Sequence, residues 1–256
     1  MTEMNEDALG AEIFRYAECD STNTRAREYA RKCTLEGKPR DAVFIAESQS
    51  AGRGRLGRSF LSQKGGIYVS FLFFTRGKPQ EISGITARAA VIAARVIDSL
   101  CGVHTRIKWV NDLYLNGRKI AGILTEGEFD ENGNLRYFIV GMGINVYKIE
   151  DFERIMPIAT TLEDEMKFKP NLEMIRDALT EKIREKLMAD GECSQMLSEY
   201  RKRCTLLGKR VEVTRGTEKY EAVALRVHDD YSLEVALDSG EIRILNSGEV
   251  SVRQGR

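Results

Sequence analysis

The loop Gly52-Arg53-Gly54-Arg55-Leu56-Gly57-Arg58 and the run that follows it, Ile67-Tyr68-Val69-Ser70-Phe71-Leu72-Phe73-Phe74, decide how this chain folds. The loop opens with a match to G-x-G-x-x-G, the dinucleotide fingerprint. That fingerprint needs a strand before it and a helix opening within it, so that a pyrophosphate rests on the helix N-terminus. Val43-Phe44-Ile45-Ala46 supplies the strand. The β-branched and aromatic run at 67–74 reads as a second buried strand, with no helix between. A strand–loop–strand order excludes the doubly wound nucleotide fold. What the loop does offer is three arginines, Arg53, Arg55 and Arg58, set among three glycines. Glycine lets backbone approach a ligand closely, and guanidinium grips phosphate bidentately while keeping its charge. Taken alone, the loop reads either as a solvated basic turn or as a clamp for a phosphate-bearing ligand.

Lys+Arg and Asp+Glu are both 39 in 256 residues. No global field therefore draws the chain to nucleic acid or to an anionic membrane, and any anion site is local. The five cysteines (Cys19, Cys33, Cys101, Cys193, Cys204) are scattered, and none has C-x-x-C spacing. With only His104 and His228 beside them, zinc and disulfide frameworks are not expected. The two histidines also lack the companions a catalytic triad needs. Reduced thiols suit a cytoplasmic protein. The acidic start Met1-Thr2-Glu3-Met4-Asn5-Glu6-Asp7 is no signal peptide, and no apolar run reaches membrane-spanning length.

Residues 1–12 read as a frayed tail. Short strands are expected at Ile13–Tyr16 and 43–46, then at 67–74. Helical composition runs from Thr24 to Cys33, behind the cap-forming triplet Ser21-Thr22-Asn23. The alanine- and isoleucine-rich span Ile82–Leu100 predicts a mostly buried helix. Asn171–Met188 and Ser194–Arg203 predict amphipathic ones. From Gly208 onward the pattern changes to five short strands, Val211–Val213, Tyr220–Val227, Leu233–Leu237, Ile242–Leu245 and Val250–Val252. Turn pairs separate them, including Ser247-Gly248, which suggests a small β-barrel. The predicted boundary leaves a first domain at 1–206 and a second at 207–256.

Asn116-Gly117 between alternating residues predicts a two-residue hairpin. In that register Leu115 faces Arg118, Tyr114 faces Lys119, and Asp112 faces Ala121. Asp112, Tyr114 and Lys119 then share one face, with Leu113, Leu115 and Ile120 on the other. Asp112 and Lys119 lie diagonally, within reach of each other. They read equally as a cross-strand ion pair or as a site for a metal–phosphate group. Trp109, the sole tryptophan, favours a core position. Ser21-Thr22-Asn23 favours an N-cap. Gly141-Met142-Gly143-Ile144-Asn145 fits either a bulge or turn, or close backbone approach to a ligand.

In order and spacing, Ser21-Thr22-Asn23, the motif Gln49–Arg58, Lys108-Trp109-Val110-Asn111-Asp112-Leu113-Tyr114, Lys119-Ile120-Ala121-Gly122-Ile123-Leu124 and Gly141–Asn145 resemble the motifs of biotin protein ligases. The resemblance runs from about residue 13 to the C-terminus. It implies an α+β fold: a mixed sheet with flanking helices, of the class II synthetase-like kind, plus a C-terminal SH3-like barrel. It also implies ATP-dependent formation of biotinyl-5′-AMP with Mg²⁺, then transfer to a lysine of a biotin carboxyl carrier domain. On that resemblance Ser21, Thr22, Asn23 and Gln49 hold the ureido ring, with Gly52, Gly54 and Gly122 beside them. Arg53 and Arg55 hold the carboxylate and α-phosphate, and Arg58 the outgoing phosphates. Lys119 stabilises charge at the reacting centre. Lys108, Asn111, Asp112, Gly143 and Asn145 serve the nucleotide, with Asp112 toward the metal and Phe60 as an apolar cover. The arginine loop is expected to order over its ligand.

Two positions depart from the family pattern: Val110 stands where proline is common, and Phe60 where tryptophan is frequent. Only twelve residues precede Ile13, too few for a three-helix DNA reader, so the resemblance is to the monofunctional form and no DNA binding is expected. Exposed sheet edges leave a homodimer open. A lipoate ligase or octanoyl transferase is the nearest enzyme alternative, and the arginine loop favours biotin over it. A non-catalytic biotin sensor is the other alternative, against which Arg55, Asp112 and Lys119 stand together.

Overall fold

The computed structural model describes residues 2–6, 10–75, 81–149, 157–189, 191–246 and 249–252. Eight strands form one sheet: β1 (Thr2–Glu6), β2 (Glu12–Tyr16), β3 (Ala42–Ala46), β4 (Gly66–Phe74), β5 (Arg106–Lys108), β6 (Asp112–Leu115), β7 (Arg118–Phe129) and β8 (Leu135–Asn145). Their spatial order is β1-β2-β3-β4-β8-β7-β6-β5. Only β2 and β3 run parallel; every other neighbouring pair is antiparallel. The connection that makes β2 and β3 parallel is α1 (Thr22–Leu35).

Strand alternation divides the apolar residues between two layers. Phe44, Leu72 and Ile139 face α1 and pack with Ala26 and Ala30. Val43, Phe71, Phe138 and Val140 belong to the larger core on the other face. There α2 (Glu81–Cys101) lies against β7 and against α4 (Leu172–Lys186) and α5 (Cys193–Arg203). The short α3 (Leu162–Met166) is capped by Thr161, whose hydroxyl accepts from the Asp164 amide. The five expected C-terminal strands form a second antiparallel sheet, β12-β11-β10-β9-β13. They are β9 (Arg210–Arg215), β10 (Glu218–Val227), β11 (Leu233–Ala236), β12 (Ile242–Leu245) and β13 (Glu249–Val252). The turn expected at Ser247-Gly248 lies outside the described residues.

Three expectations need correction. The tail expected to fray contains β1, which pairs with β2 over Thr2–Glu6. A partner strand, absent from any local pattern, supplies its order. The hairpin keeps Leu115 opposite Arg118 and Tyr114 opposite Lys119, but Asp112 faces Gly122 rather than Ala121. A bulge beyond Tyr114 inserts one residue, as bulges do, without any sequence mark. Lastly, β8 runs straight through Gly141 and Gly143, in unbroken register with β4 from Gly66 to Phe74. The glycines mark neither a bulge nor a turn.

Candidate functional site

Register explains the floor of the site. Tyr68, Gly143, Gly122, Asp112 and Lys108 are successive cross-strand partners across β4, β8, β7, β6 and β5. The next row sets Lys119, Tyr114 and Arg106 side by side. Gly122 opposite Gly143 leaves a trough, and the Phe60 ring lies in it, so that a side chain at Gly143 would run into that ring. Farther along β8, a Cβ at Gly141 would strike the Asn23 amide. These glycines are clearances for particular side chains.

Over this floor opens a cleft of about 1160 Å³. Its lining takes in every residue that the sequence pointed to except Gly52. Gly52 stands behind the wall, its carbonyl accepting from the Phe60 amide at 2.8 Å. Eight cationic residues line the cleft (Arg53, Arg55, Arg58, Arg106, Lys108, Arg118, Lys119, Lys209) against two anionic ones, Asp112 and Glu212. In a chain of zero net charge, that excess marks a place for a polyanion.

One end is neutral and finely bonded. Ser21 occupies the N-cap of α1 but makes no side-chain cap. Thr22 and Asn23 point into the sheet instead. The Thr22 amide donates to Gln49 Oε1 at 2.8 Å, and Gln49 Nε2 donates to Ser62 Oγ at 2.8 Å. Asn23 Nδ2 donates to Glu126 at 2.7 Å. Glu126 also pairs with Arg27 at 2.6 Å and with Arg53 at 3.2 Å.

The other end gathers the charged groups. Lys119 Nζ lies 2.8 Å from Asp112 Oδ1, an ion-pair contact that leaves this buried oxygen without an aligned hydrogen bond. Arg55 donates to Asn111 Oδ1 at 2.9 Å, while Asn111 Nδ2 donates to the Ile123 carbonyl at 2.9 Å. Asn111 is thereby fixed as an acceptor for the arginine. Lys119 is flanked by Ile158–Thr160, through bonds at 3.1 and 2.8 Å, and Asn145 donates to the Thr160 carbonyl at 3.2 Å. Burial, with Asp112 adding to it, pushes the Tyr114 phenol up to about 12. Tyr114 therefore remains a neutral hydroxyl at ordinary pH.

The sequence reading passed over several residues of the site. Arg106 shares the face of Lys108, two residues on, so simple alternation would have found it. Thr205, Lys209, Glu212 and Thr214 also line the cleft. They reach it from the C-terminal region, with no local signal. Ser70 is a buried polar residue inside a strand that reads as apolar, and the cost of burying it was the available clue; half-buried Glu126 carried no such mark. Trp109 is core as expected, and its indole N–H donates to the Tyr231 carbonyl at 2.9 Å. All five cysteines are free thiols, and among the described residues no helix is long and apolar enough to cross a membrane.

Residues 16–145, just over half of the chain, match the model of the Biotin/lipoate A/B protein ligase family. The Bifunctional ligase/repressor BirA of Bacillus subtilis (strain 168) is 35% identical over 162 residues, 62% of this chain and 48% of that protein. The chain thus spans about half the length of that relative. The Biotin--[acetyl-CoA-carboxylase] ligase of Mycobacterium tuberculosis is 29% identical over 218 residues, 81% of this chain and 77% of that one. Among solved structures, the biotin protein ligase from Aquifex aeolicus in complex with biotin and ATP superposes with a TM-score of 0.73 at 26% identity. That match covers 95% of this chain and 99% of the Aquifex chain. A family model matching most of the sheet, on a fold shared almost end to end, places the chain in the Biotin/lipoate A/B protein ligase family.

Proposed function

We propose that the protein is a biotin–[biotin carboxyl-carrier protein] ligase. The observation that carries this is one cleft joining a neutral hydrogen-bonding end, built on Thr22, Asn23 and Gln49, to a cationic end built on Arg55 and Lys119. A small polar ring with an acid tail fits the first, and a nucleoside triphosphate fits the second. A carboxylate oxygen of biotin attacks the α-phosphorus of ATP. The bond to the β-phosphate oxygen breaks, pyrophosphate leaves, and biotinyl-5′-AMP remains. A neutral lysine amine of the carrier then attacks the anhydride carbonyl, releasing AMP.

Lys119 and Arg55 stabilise the negative charge that builds on the reacting oxygens, an effect strongest in a site shielded from water. Asn111 orients Arg55 for that work. The loop at 52–58 closes over the anhydride and keeps water away. For Mg²⁺, the donor set is Asp112 with its buried oxygen lacking an aligned bond. Among the described residues no cluster of three ligating side chains gathers. That suits a metal held by one carboxylate and by substrate phosphates. Bound there, it would neutralise charge on the leaving pyrophosphate. We assign residues 1–206 to the ligase domain and 207–256 to a second module that walls the cleft through Lys209 and Glu212. The partner is the carrier domain of a biotin-dependent carboxylase.

The test is incubation with radiolabelled biotin, ATP, Mg²⁺ and a carrier domain. Label on the carrier lysine is the expected result. An unlabelled carrier, with lipoate attached in its place, would reject this function.

A further inference from the structure

Beneath the neutral end of the cleft, a chain of side chains has fewer protons than contacts. Ser70 Oγ lies 2.6 Å from Asn23 Oδ1 and 2.7 Å from Thr22 Oγ1. Thr22 Oγ1 lies 3.1 Å from Gln49 Oε1. Three oxygen–oxygen contacts therefore share two hydroxyl protons, those of Ser70 and Thr22.

Both ends of the chain are pinned. At one, Glu126 forms ion pairs with Arg27 and Arg53, and its carboxylate oxygens are the acceptors there. It takes the Asn23 amide N–H, which turns Asn23 Oδ1 toward Ser70. A carbonyl oxygen cannot donate, so the Ser70 proton goes to Asn23. At the other end, the Ser62 hydroxyl points to the Phe60 carbonyl at 3.0 Å, so Ser62 accepts from Gln49 Nε2. Gln49 Oε1 then faces Thr22 and takes its backbone N–H. With its own proton spent on Asn23, Ser70 accepts from Thr22, in the shorter of the two Thr22 contacts. No proton is left between Thr22 Oγ1 and Gln49 Oε1. Two lone-pair oxygens about a hydrogen bond apart thus lie side by side on the cleft lining.

We infer that Glu126 and Ser70 are positioning residues that fix the direction of this chain, making Thr22 and Gln49 a paired acceptor that selects a ligand bearing ring N–H, a cyclic urea, over a dithiolane. The inference rests on the proposed biotin function and names what separates biotin from lipoate within that function. A site whose acceptors keep a lone pair for the ligand rejects one that lacks the matching donor.

Calorimetric titration of the full chain with biotin, with biotin methylated on its ureido nitrogen, and with lipoate tests the point. The wild-type protein is expected to prefer biotin to the methylated form by about a hundredfold. In Ser70→Ala the Thr22 proton loses its acceptor and turns to Gln49, filling the gap between the two oxygens. Biotin should then bind about tenfold more weakly, and its advantage over the methylated ligand should shrink about tenfold. A merely structural loss would weaken both ligands alike. Glu126→Gln keeps the side-chain volume and lets the Asn23 amide reverse, so it should shrink the same ratio if Ser70→Ala fails to fold. An unchanged ratio in a folded variant that still binds biotin overturns the inference alone. Wild-type protein that binds lipoate and not biotin overturns the function and the inference together.

Discussion

Lys119 and Arg55 separate the two halves of the proposed chemistry. Lys119 meets the charge of the transition state, so Lys119→Gln is expected to slow adenylate formation by about 10²–10³-fold, read as pyrophosphate release. In the proposed cycle Arg55 has a second task, holding the loop over the finished anhydride. In Arg55→Gly the adenylate should escape, and biotin should appear on bystander lysines as well as on the carrier, resolved by mass spectrometry of mixed proteins. Labelling confined to the carrier would remove that role from Arg55. Cys19 lies next to Asp20 and bridges to Gln49, at the neutral end of the cleft. Burial pushes its thiol up to about 11, so at pH 8 it stays protonated and inert. Iodoacetamide should reach exposed Cys193 first, a preference visible in a timed peptide map.

At the scale of elements, the glycine clearances make a ranked prediction. A methyl at Gly143 meets the Phe60 ring, with several of its atoms in the way. A methyl at Gly122 meets the flexible end of Lys119 at 3.2 Å and the ring at 3.5 Å. Gly143→Ala should cost about 1–3 kcal/mol in denaturant unfolding, and Gly122→Ala distinctly less; the reverse order would show that the ring does not lie in the trough. These elements also show how far sequence reaches. Asn116-Gly117 fixed the hairpin, because a type I′ turn needs residues that accept positive φ, and both have it. The bulge behind it left no mark, because it depends on how β6 meets β7 rather than on residue type. β1 escaped notice for a similar reason: its order comes from β2. The charged half of the site was legible because arginines stand out among the loop's glycines, and Asp112 and Lys119 stand out in apolar strands. The support beneath it was not, because Ser70 and Glu126 act across 48 and 103 residues of chain.

Over the whole molecule, the two sheets share one apolar core. Tyr200, Leu206, Val211, Val235 and Tyr231 belong to the same buried cluster as Trp109 and Ile107. The Tyr200 and Tyr231 rings meet edge to face, with centroids 5.4 Å apart. Calorimetry should therefore show a single unfolding transition, and the segment 1–206 alone should fail to unfold cooperatively, with this face uncovered. Trp109→Phe leaves the buried Tyr231 carbonyl without its donor and should cost about 1–3 kcal/mol.

That one indole has a further use. Because the protein contains a single tryptophan, 3% exposed and lodged where the cleft meets the C-terminal sheet, all of its indole fluorescence comes from this seam. The emission should be blue-shifted in the folded protein and move to the red on denaturation. Closure of the cleft and separation of the two sheets would thus be followed by one native, label-free signal.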